Sequence, residues 1–565
     1  LLSAYVAAPA ALLAVSAGIV ACDDENDPKT WVKRLDDQAQ RSKAIDRLKH
    51  FFDDNMSKTA NKTDSPEVKA LLDMMVEPLT KTYVAGGLDD KTRVDLIRLL
   101  ADTRDPRTQP ALAKALKDFE PGKTDDDARA ACEAINSMAK AGVKFDQGTI
   151  DELWNVFTRF RPSKAKSERL LHAIHDAVVT VHDPSYGDKA ADKLKAAVTP
   201  DVDSKMDQIQ WWQLTSIQVI SELKYTKAIK PLVLVLLTPT KQDLNATTRT
   251  CLLKMAPAAE PELVKAIKGG DPDYLAAGAA YKDKANLAIV ADTLALISRP
   301  AGRDAIVATL ATADTDTTLT GLAQALVQFP EIPTIEPAFQ TAYGKLKWTA
   351  SVELLGDINP KAALAQASAN FYDPAMTDWL AREVASAPDA TSKILPLEAA
   401  IKVMPPDKKG LVGAALDKAK GSLGDDLYGS YKSMFDLASQ ALDKCTQNVG
   451  CYLSMLDEPI PSSPPTAYWK AVKATWMAVA YSTTESTWAG TRADLLKRVD
   501  KVKGAQARLA IVEAIDELAP KGDTAAADAL DKIVASDTKT GDRNLLLGDD
   551  AVVKVALRLR ARAAP

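Results

Sequence analysis

Residues 93–116, Arg93-Val-Asp-Leu-Ile-Arg-Leu-Leu100-Ala-Asp-Thr-Arg-Asp105-Pro106-Arg107-Thr-Gln-Pro110-Ala-Leu-Ala-Lys-Ala-Leu116, hold one structural unit. Val94, Ile97, Leu100 and Ala101 recur three and four residues apart, which places them on one face of a helix. Asp105-Pro106 then reverses the chain and opens a second helix. An acidic side chain accepts hydrogen bonds from the free N–H groups of a helix start, and proline tolerates the first turn because its missing N–H is not needed there. Alanines at 111, 113 and 115 let the second helix approach its neighbours closely. The stretch predicts two antiparallel helices joined by a tight turn.

The same arrangement recurs along the chain. It appears at Trp348–Leu355 with Pro360–Leu364, at Arg508–Ile515 with Ala525–Leu530, and at Val219–Leu223 with Thr226–Leu232. Other stretches carry apolar stripes at helical spacing, among them Trp31/Leu35/Ala39, Ile45/Leu48/Phe52 and Ile209/Leu214/Ile217/Ile220/Leu223. Strand-like alternation is almost absent. Leu232–Leu237 has the composition of a buried strand, but its helical flanks predict a helix. A chain of 565 residues exceeds the size at which one core keeps growing, so an array of stacked pairs is expected.

These units resemble HEAT repeats of the compact bacterial type found in phycobilisome lyases. The resemblance implies an all-α fold, an α-solenoid of stacked antiparallel helix pairs (a HEAT-like or ARM-like superhelix). It further implies that second helices line a concave binding side, here 107–117, 226–236 and 523–535. The pattern is clear in about four units and degenerate elsewhere, for example at 286–309 and 319–339, with insertions near 118–126, 183–208 and 456–466. The expected organisation is a solenoid over 31–455, a proline-rich connection at 456–466, and C-terminal helices with a cap over 467–565. The tail places Lys554, Arg558 and Arg562 on one helix face, read as a solvated end cap or a surface for acidic partners or lipid head groups.

Residues 1–21 carry no charge and give way to Cys22-Asp23-Asp24-Glu25-Asn26-Asp27. Ile19-Val20-Ala21-Cys22 resembles the lipobox of bacterial lipoproteins. That resemblance implies removal of 1–21 as a signal peptide, lipid on Cys22, and an acidic tether over 22–30. The protein would then be anchored in the cell envelope facing the periplasm, with inner and outer membranes both open. The short apolar region and Pro9 favour a cleaved signal over a spanning helix, with a retained signal anchor or an ordinary signal peptide as alternatives. No later apolar run is long enough to span a bilayer; the longest is 231–237.

Five cysteines are present. Cys445 and Cys451 flank a segment in which Asn448 and Gly450 permit a turn, and in an oxidising compartment they are expected to pair. By the chain-entropy relation such a short loop contributes roughly 2 kcal/mol. Cys132 and Cys251 sit on apolar helix faces and read as small buried hydrophobes.

Little in the sequence points to catalysis. Three of the four histidines, His172, His175 and His182, lie close together beside Asp176, yet the spacing is not that of a zinc helix. Leu171, Ile174 and Val178 occupy the apolar stripe, and His182 precedes the helix-ending Asp183-Pro184. The acidic runs at 125–127 and 549–550 stand at helix starts, where acids complement exposed N–H groups. No phosphate loop, nucleophile elbow or dinucleotide fingerprint occurs. A net charge of −5 argues against a nucleic-acid partner. Trp211, Trp212, Trp469 and Trp476 are candidate protein-binding anchors, or else aromatic filling between helices. The expectation is a lipid-anchored, non-catalytic scaffold without cofactor, metal or evident small-molecule substrate. Its membrane contact would be the N-terminal lipid and its partner an unidentified protein. An enzyme of the HEAT-like lyase type and a purely structural envelope spacer are the alternatives.

Overall fold

A computed structural model describes residues 24–162, 168–196, 205–330, 332–348, 359–370, 374–446, 448–455, 485–501, 505–540 and 543–565. Cys22 and the leader, the proline-rich 456–466, Trp469, Trp476 and the stretch 349–357 lie outside the described residues. The described residues form helices, turns and no strand. The chain divides into two compact units, one ending at His182 and the other beginning at Asp183, and the stretch 31–455 has residues in both. His182 itself has a left-handed backbone, φ 52°, as the preceding helix stops.

The first unit contains α1 (Pro28–Arg34), α2 (Arg41–Lys58), α3 (Pro66–Ala85), α4 (Asp90–Thr103), α5 (Gln109–Lys117), α6 (Asp125–Lys140), α7 (Gln147–Arg159) and α8 (Glu168–Thr180). Even-numbered helices pack successively on one another, as do odd-numbered ones, and each helix also packs on a sequence neighbour. That two-layer, nearest-neighbour pattern is a solenoid of helix pairs, in which each pair buries its apolar face only by stacking on the next. Starts are set by side-chain caps: Asp27, Ser65, Asp89 and Asp146 accept from Lys29, Val68, Thr92 and Thr149 N–H groups. Leu96, Ile97, Leu99 and Leu100 of α4 are buried, as are Ala111, Leu112, Ala115 and Leu116 of α5, while Val94 is half-buried. Between these helices, Arg104 adopts φ 51° and Pro106–Thr108 form a 3-10 turn.

Two N-terminal expectations change. Residues 24–30 are not a free tether, because the Glu25 carbonyl accepts from Trp31 Nε1 at 2.8 Å and from Arg47 at 3.2 Å, and α1 begins at Pro28. Ala39 falls in the turn between α1 and α2 and is exposed, since the helix stops after Arg34.

The second unit opens with α9 (Tyr186–Lys193), α10 (Lys205–Leu223), α11 (Ile229–Leu236), α12 (Asn245–Lys254), α13 (Ala256–Ile267), α14 (Pro272–Gly278), α15 (Asn286–Ile297), α16 (Pro300–Thr312), α17 (Asp316–Leu326) and α18 (Ile332–Lys345). It continues through α19 (Pro360–Ala367), α20 (Pro374–Ser386), α21 (Ala390–Val403), α22 (Lys409–Cys445) and α23 (Val449–Met455). It ends with α24 (Glu485–Lys501), α25 (Ala505–Glu517), α26 (Thr524–Thr540) and α27 (Arg543–Ala563). Layering again runs through alternate neighbours: α10, α12, α15, α17, α19 and α21 in one layer, and α11, α13, α16 and α18 in the other. α22 breaks at Gly424 (φ 74°, ψ 168°), a left-handed position that favours glycine, and its halves fold back on each other. Tyr428 thereby donates to Asp417 at 2.8 Å and Lys409 meets Asp443.

The C-terminal helix departs from a nearest-neighbour array. α27 packs on α25 and α26, and also on α12 and α15, far earlier in the chain. No described helix is long and apolar enough to cross a membrane.

Candidate functional site

A depression in the first unit has a volume of about 890 Å³. It is formed where the last turns of α3 run beside the starts of α5 and α7. From α3 come Glu77, Lys81, Val84 and Ala85, spaced so that one helix face lines it. Across from them stand Pro106, Pro110 and Phe145. Val84, Ala85 and both prolines are exposed, so the floor is an apolar surface left open to water. Val84 is 41% exposed, one of six large apolar side chains that the described residues leave open.

Polar side chains fix the shape of this groove. Gln109 is buried and acts as a peptide mimic: its Nε2 donates to the Lys144 carbonyl at 2.9 Å, and its Oε1 accepts from Asp146 N–H at 2.8 Å. It ties the α4–α5 turn to the α6–α7 turn, satisfying two backbone groups that no helix serves. Arg107 is held twice, by Asp105 (Nε 2.9 Å, Nη2 2.6 Å) and by Asp73 of α3 (2.9 Å). Burial pushes the Asp105 carboxyl up, but the Arg107 hydrogen bonds outweigh it and hold the group below its ordinary pKa. Lys81 and Lys144 are exposed and make no ion pair among the described residues.

A second, smaller cavity of about 240 Å³ lies beyond the end of α3, lined by Tyr83, Arg93, Lys114, Asp118 and Asp127. Its charges are mutually paired: Arg93 with Asp127 at 2.9 Å and Lys114 with Asp118 at 2.6 Å. Burial, with Asp127 beside it, raises the Tyr83 pKa, so the phenol stays protonated.

The expected binding anchors fare differently from their sequence setting. Trp211 is 8% exposed and packs inside the second unit, and Trp212 is half-buried with the Lys193 ammonium 4.2 Å from its ring centre. Trp211 thus fills space between helices, the alternative that the sequence left open, while Trp212 keeps part of its surface exposed. Of the expected concave segments, 107–117 contributes its start to the groove. By contrast, Ile229, Leu232, Val233, Val235 and Leu236 are buried in α11. In 523–535 the exposed acids Asp528 and Asp531 are taken by Arg560, each at 2.7 Å.

His172 is exposed, and His175 Nδ1 lies 2.9 Å from Asp176. No group of three or more His, Cys, Asp or Glu among the described residues has metal-holding geometry. Cys445 and Cys451 are bonded to each other with Cα atoms 5.3 Å apart, joining the end of α22 to α23. Cys132 and Cys251 are buried; burial pushes the Cys251 thiol up to about 12 and raises Cys132 as well, so neither is a thiolate at neutral pH.

The C-terminal basic face is corrected most. Lys554 is exposed, but Arg558 and Arg562 are buried. Arg558 Nε donates to Asp516 at 2.8 Å, while its other nitrogens donate to the carbonyls of Ala295 (2.8 Å), Leu296 (3.1 Å) and Gln328 (2.9 Å). Those carbonyls end α15 and follow α17, where helices leave acceptors unpaired and cations are favoured. The exchange is reciprocal: Arg299, beside Glu260 at 2.9 Å, donates to the carbonyls of Ala561 and Ala564 at the end of α27. Arg562 shares the buried Asp516. Burial would raise Asp516, but Arg558 and Arg562 together hold its pKa below the ordinary carboxylate value.

No family model matches the chain, and no curated protein matches it. Among solved structures, importin beta crystallised in ammonium sulfate is similar at 11% identity, over 95% of this chain and 74% of that one, with a TM-score of 0.30. The karyopherin Kap121p bound to the SUMO protease Ulp1p is similar at 13% identity and a TM-score of 0.24, over 94% of this chain and 66%, just under two thirds, of that one.

Proposed function

We propose that this chain is a lipid-anchored, non-catalytic scaffold of the bacterial cell envelope that binds a protein partner through the groove of its first unit. The observation that carries the proposal is the groove itself. It is a concave surface lined by Val84, Ala85, Pro106, Pro110 and Phe145 together with Glu77, Lys81, Lys144 and Asp146, its shape set by Gln109 and Arg107. Such a surface gains little by staying in water and is already organised, so a docking segment loses less entropy in shaping it. Helix pairs stacked in two layers back the groove.

Anchoring rests on the sequence Ile19-Val20-Ala21-Cys22 and the acidic residues after it. A bonded Cys445–Cys451 pair fits an oxidising compartment such as the periplasm. In that setting the lipid would hold the groove at the membrane surface.

Placing a photo-crosslinking amino acid at Val84 in the full chain in its native cell tests the scaffold role. A protein adduct at Val84, with none from the same probe at buried Leu112, is the expected result. Adducts to lipid alone, or none at all, would overturn it. Cys22→Ser is expected to abolish acyl labelling and release the chain from membranes; unchanged membrane retention would remove the anchor from the proposal.

A further inference from the structure

We infer that the smaller cavity, beyond the end of α3, is a binding site for a small neutral polyol such as a monosaccharide. Four helices converge on it: Tyr83 comes from the last turn of α3, Arg93 from α4, Lys114 from the end of α5 and Asp127 from the first turn of α6. Its volume of about 240 Å³ equals roughly eight waters at about 30 Å³ each, room for one small organic molecule. Gly86 and Gly87 form its remaining edge with φ of 75° and 73°, and a Cβ on either would meet no atom within 4 Å. The left-handed backbone calls for glycine there, so the turn brings no side chain over the opening. No residue lines both this cavity and the groove, so the two readings stand or fall separately.

The Tyr83 hydroxyl is what points to a ligand. Tyr83 is 4% exposed, lines the cavity and makes no hydrogen bond among the described residues. A buried phenol ordinarily finds a partner, because its hydroxyl loses water on burial. Asp127 adds a second unmet group: Arg93 Nε donates to Oδ2 at 2.9 Å, while Oδ1 is buried without a donor.

The charged groups of the wall set the class. Arg93 is paired with Asp127, and Lys114 with Asp118 at 2.6 Å, two bases against two acids. Asp90, the further partner of Arg93, is 94% exposed and stands in water. A free ammonium or carboxylate entering the cavity would compete with one member of a pair that is already made. A hydroxyl donates and accepts at once, so it joins such a pair through the spare lone pairs of the acid and the spare N–H of the base. Leu88 and Ala115 supply apolar contact for the carbon side of a polyol.

Calorimetric titration of the full chain with glucose, galactose, ribose, myo-inositol and glycerol tests this, with the zwitterion glycine as control. At least one polyol is expected to bind with a dissociation constant of roughly 1 mM or tighter, and glycine is not. Tyr83→Phe removes the hydroxyl alone. It should weaken that polyol roughly threefold to tenfold, the worth of one neutral hydrogen bond, and leave the Tm of the free chain unchanged. No polyol binding at roughly 10 mM would overturn the site and leave the cavity to water. Binding of glycine without any polyol would overturn the neutral class. Equal polyol binding by Tyr83→Phe and the unaltered chain would overturn this cavity as the place. A lower Tm for free Tyr83→Phe would assign the hydroxyl to the fold and overturn its role toward a ligand.

Discussion

Arg107 and Arg558 both stand beside apolar helical stripes, yet they end in opposite surroundings. The Arg107 side chain is 35% exposed and ties two neighbouring repeats together at the surface through Asp105 and Asp73. The Arg558 side chain is 10% exposed; it meets Asp516 and reaches the carbonyl ends of helices 230 to 263 residues away. The first unit therefore keeps to nearest-neighbour contacts and leaves a shaped, wet groove. The second unit uses a buried ion network to dock its last helix on its earlier ones. One arrangement presents a surface, and the other consumes it.

The comparison can be broken most strongly at Asp516. Asp516→Ala leaves two guanidinium groups buried without their carboxylate, a change that costs about 3–5 kcal/mol. Hydrogen exchange should show the 543–563 amides losing protection while those of 93–116 are unchanged. The acid group also sets a pH slope. Its folded pKa lies below the unfolded value, so its contribution is present above the unfolded pKa and is lost as pH falls through the folded one. Acid titration of stability should therefore show a loss at 543–563 below about pH 4 that Asp516→Asn removes.

A smaller effect is expected at Gly522, which has φ +80° and whose position would hold a Cβ only 2.4 Å from both the Leu559 carbonyl oxygen and the Ala563 nitrogen. Gly522→Ala should cost roughly 1–3 kcal/mol through backbone strain and displacement of α27. Calorimetry with local hydrogen exchange at 555–563 would check it. In the first unit, Gln109→Ala should cost about 1–2 kcal/mol, because the Lys144 carbonyl and the Asp146 N–H lose a buried partner. Its further sign is less protein adduct at Val84. Arg107→Ala is expected to cost less than about 1 kcal/mol, since its ion pairs are partly exposed and screened. A loss at Arg107 as large as that at Asp516 would erase the distinction between the two regions.

Much of the fold was legible because its determinants are local. The period of Ile97 and Leu100 against the Asp105-Pro106 break needs no distant information, although Leu96 and Leu99 are buried where the stripe had Val94 and Ala101, and neither does the helical reading of 232–237, which the structure places at 229–236. The groove was half legible: the 107–117 segment was singled out, but α3 and the α6–α7 turn join it only through stacking, and a lone Gln109 carries no motif. The C-terminal closure was not legible, since Arg558 pairs with backbone carbonyls that every sequence possesses. Its available signal was an Arg pair four residues apart in a helix whose Val552, Val555, Ala556, Leu559 and Ala561 are all buried. Basic residues amid so much apolar surface leave little room for a solvated face. The tryptophans could be read two ways because aromatic area is as useful between helices as outside them, and Trp211 went inside.

The central claim is that the first unit offers the binding surface and the docked C-terminal region does not. Hydrogen exchange of the full chain with and without the protein captured at Val84 tests it directly. The account predicts added protection within 77–85, 105–112 and 143–149, with no change across 505–563. Protection centred on 505–563, or spread evenly over both units, would contradict it.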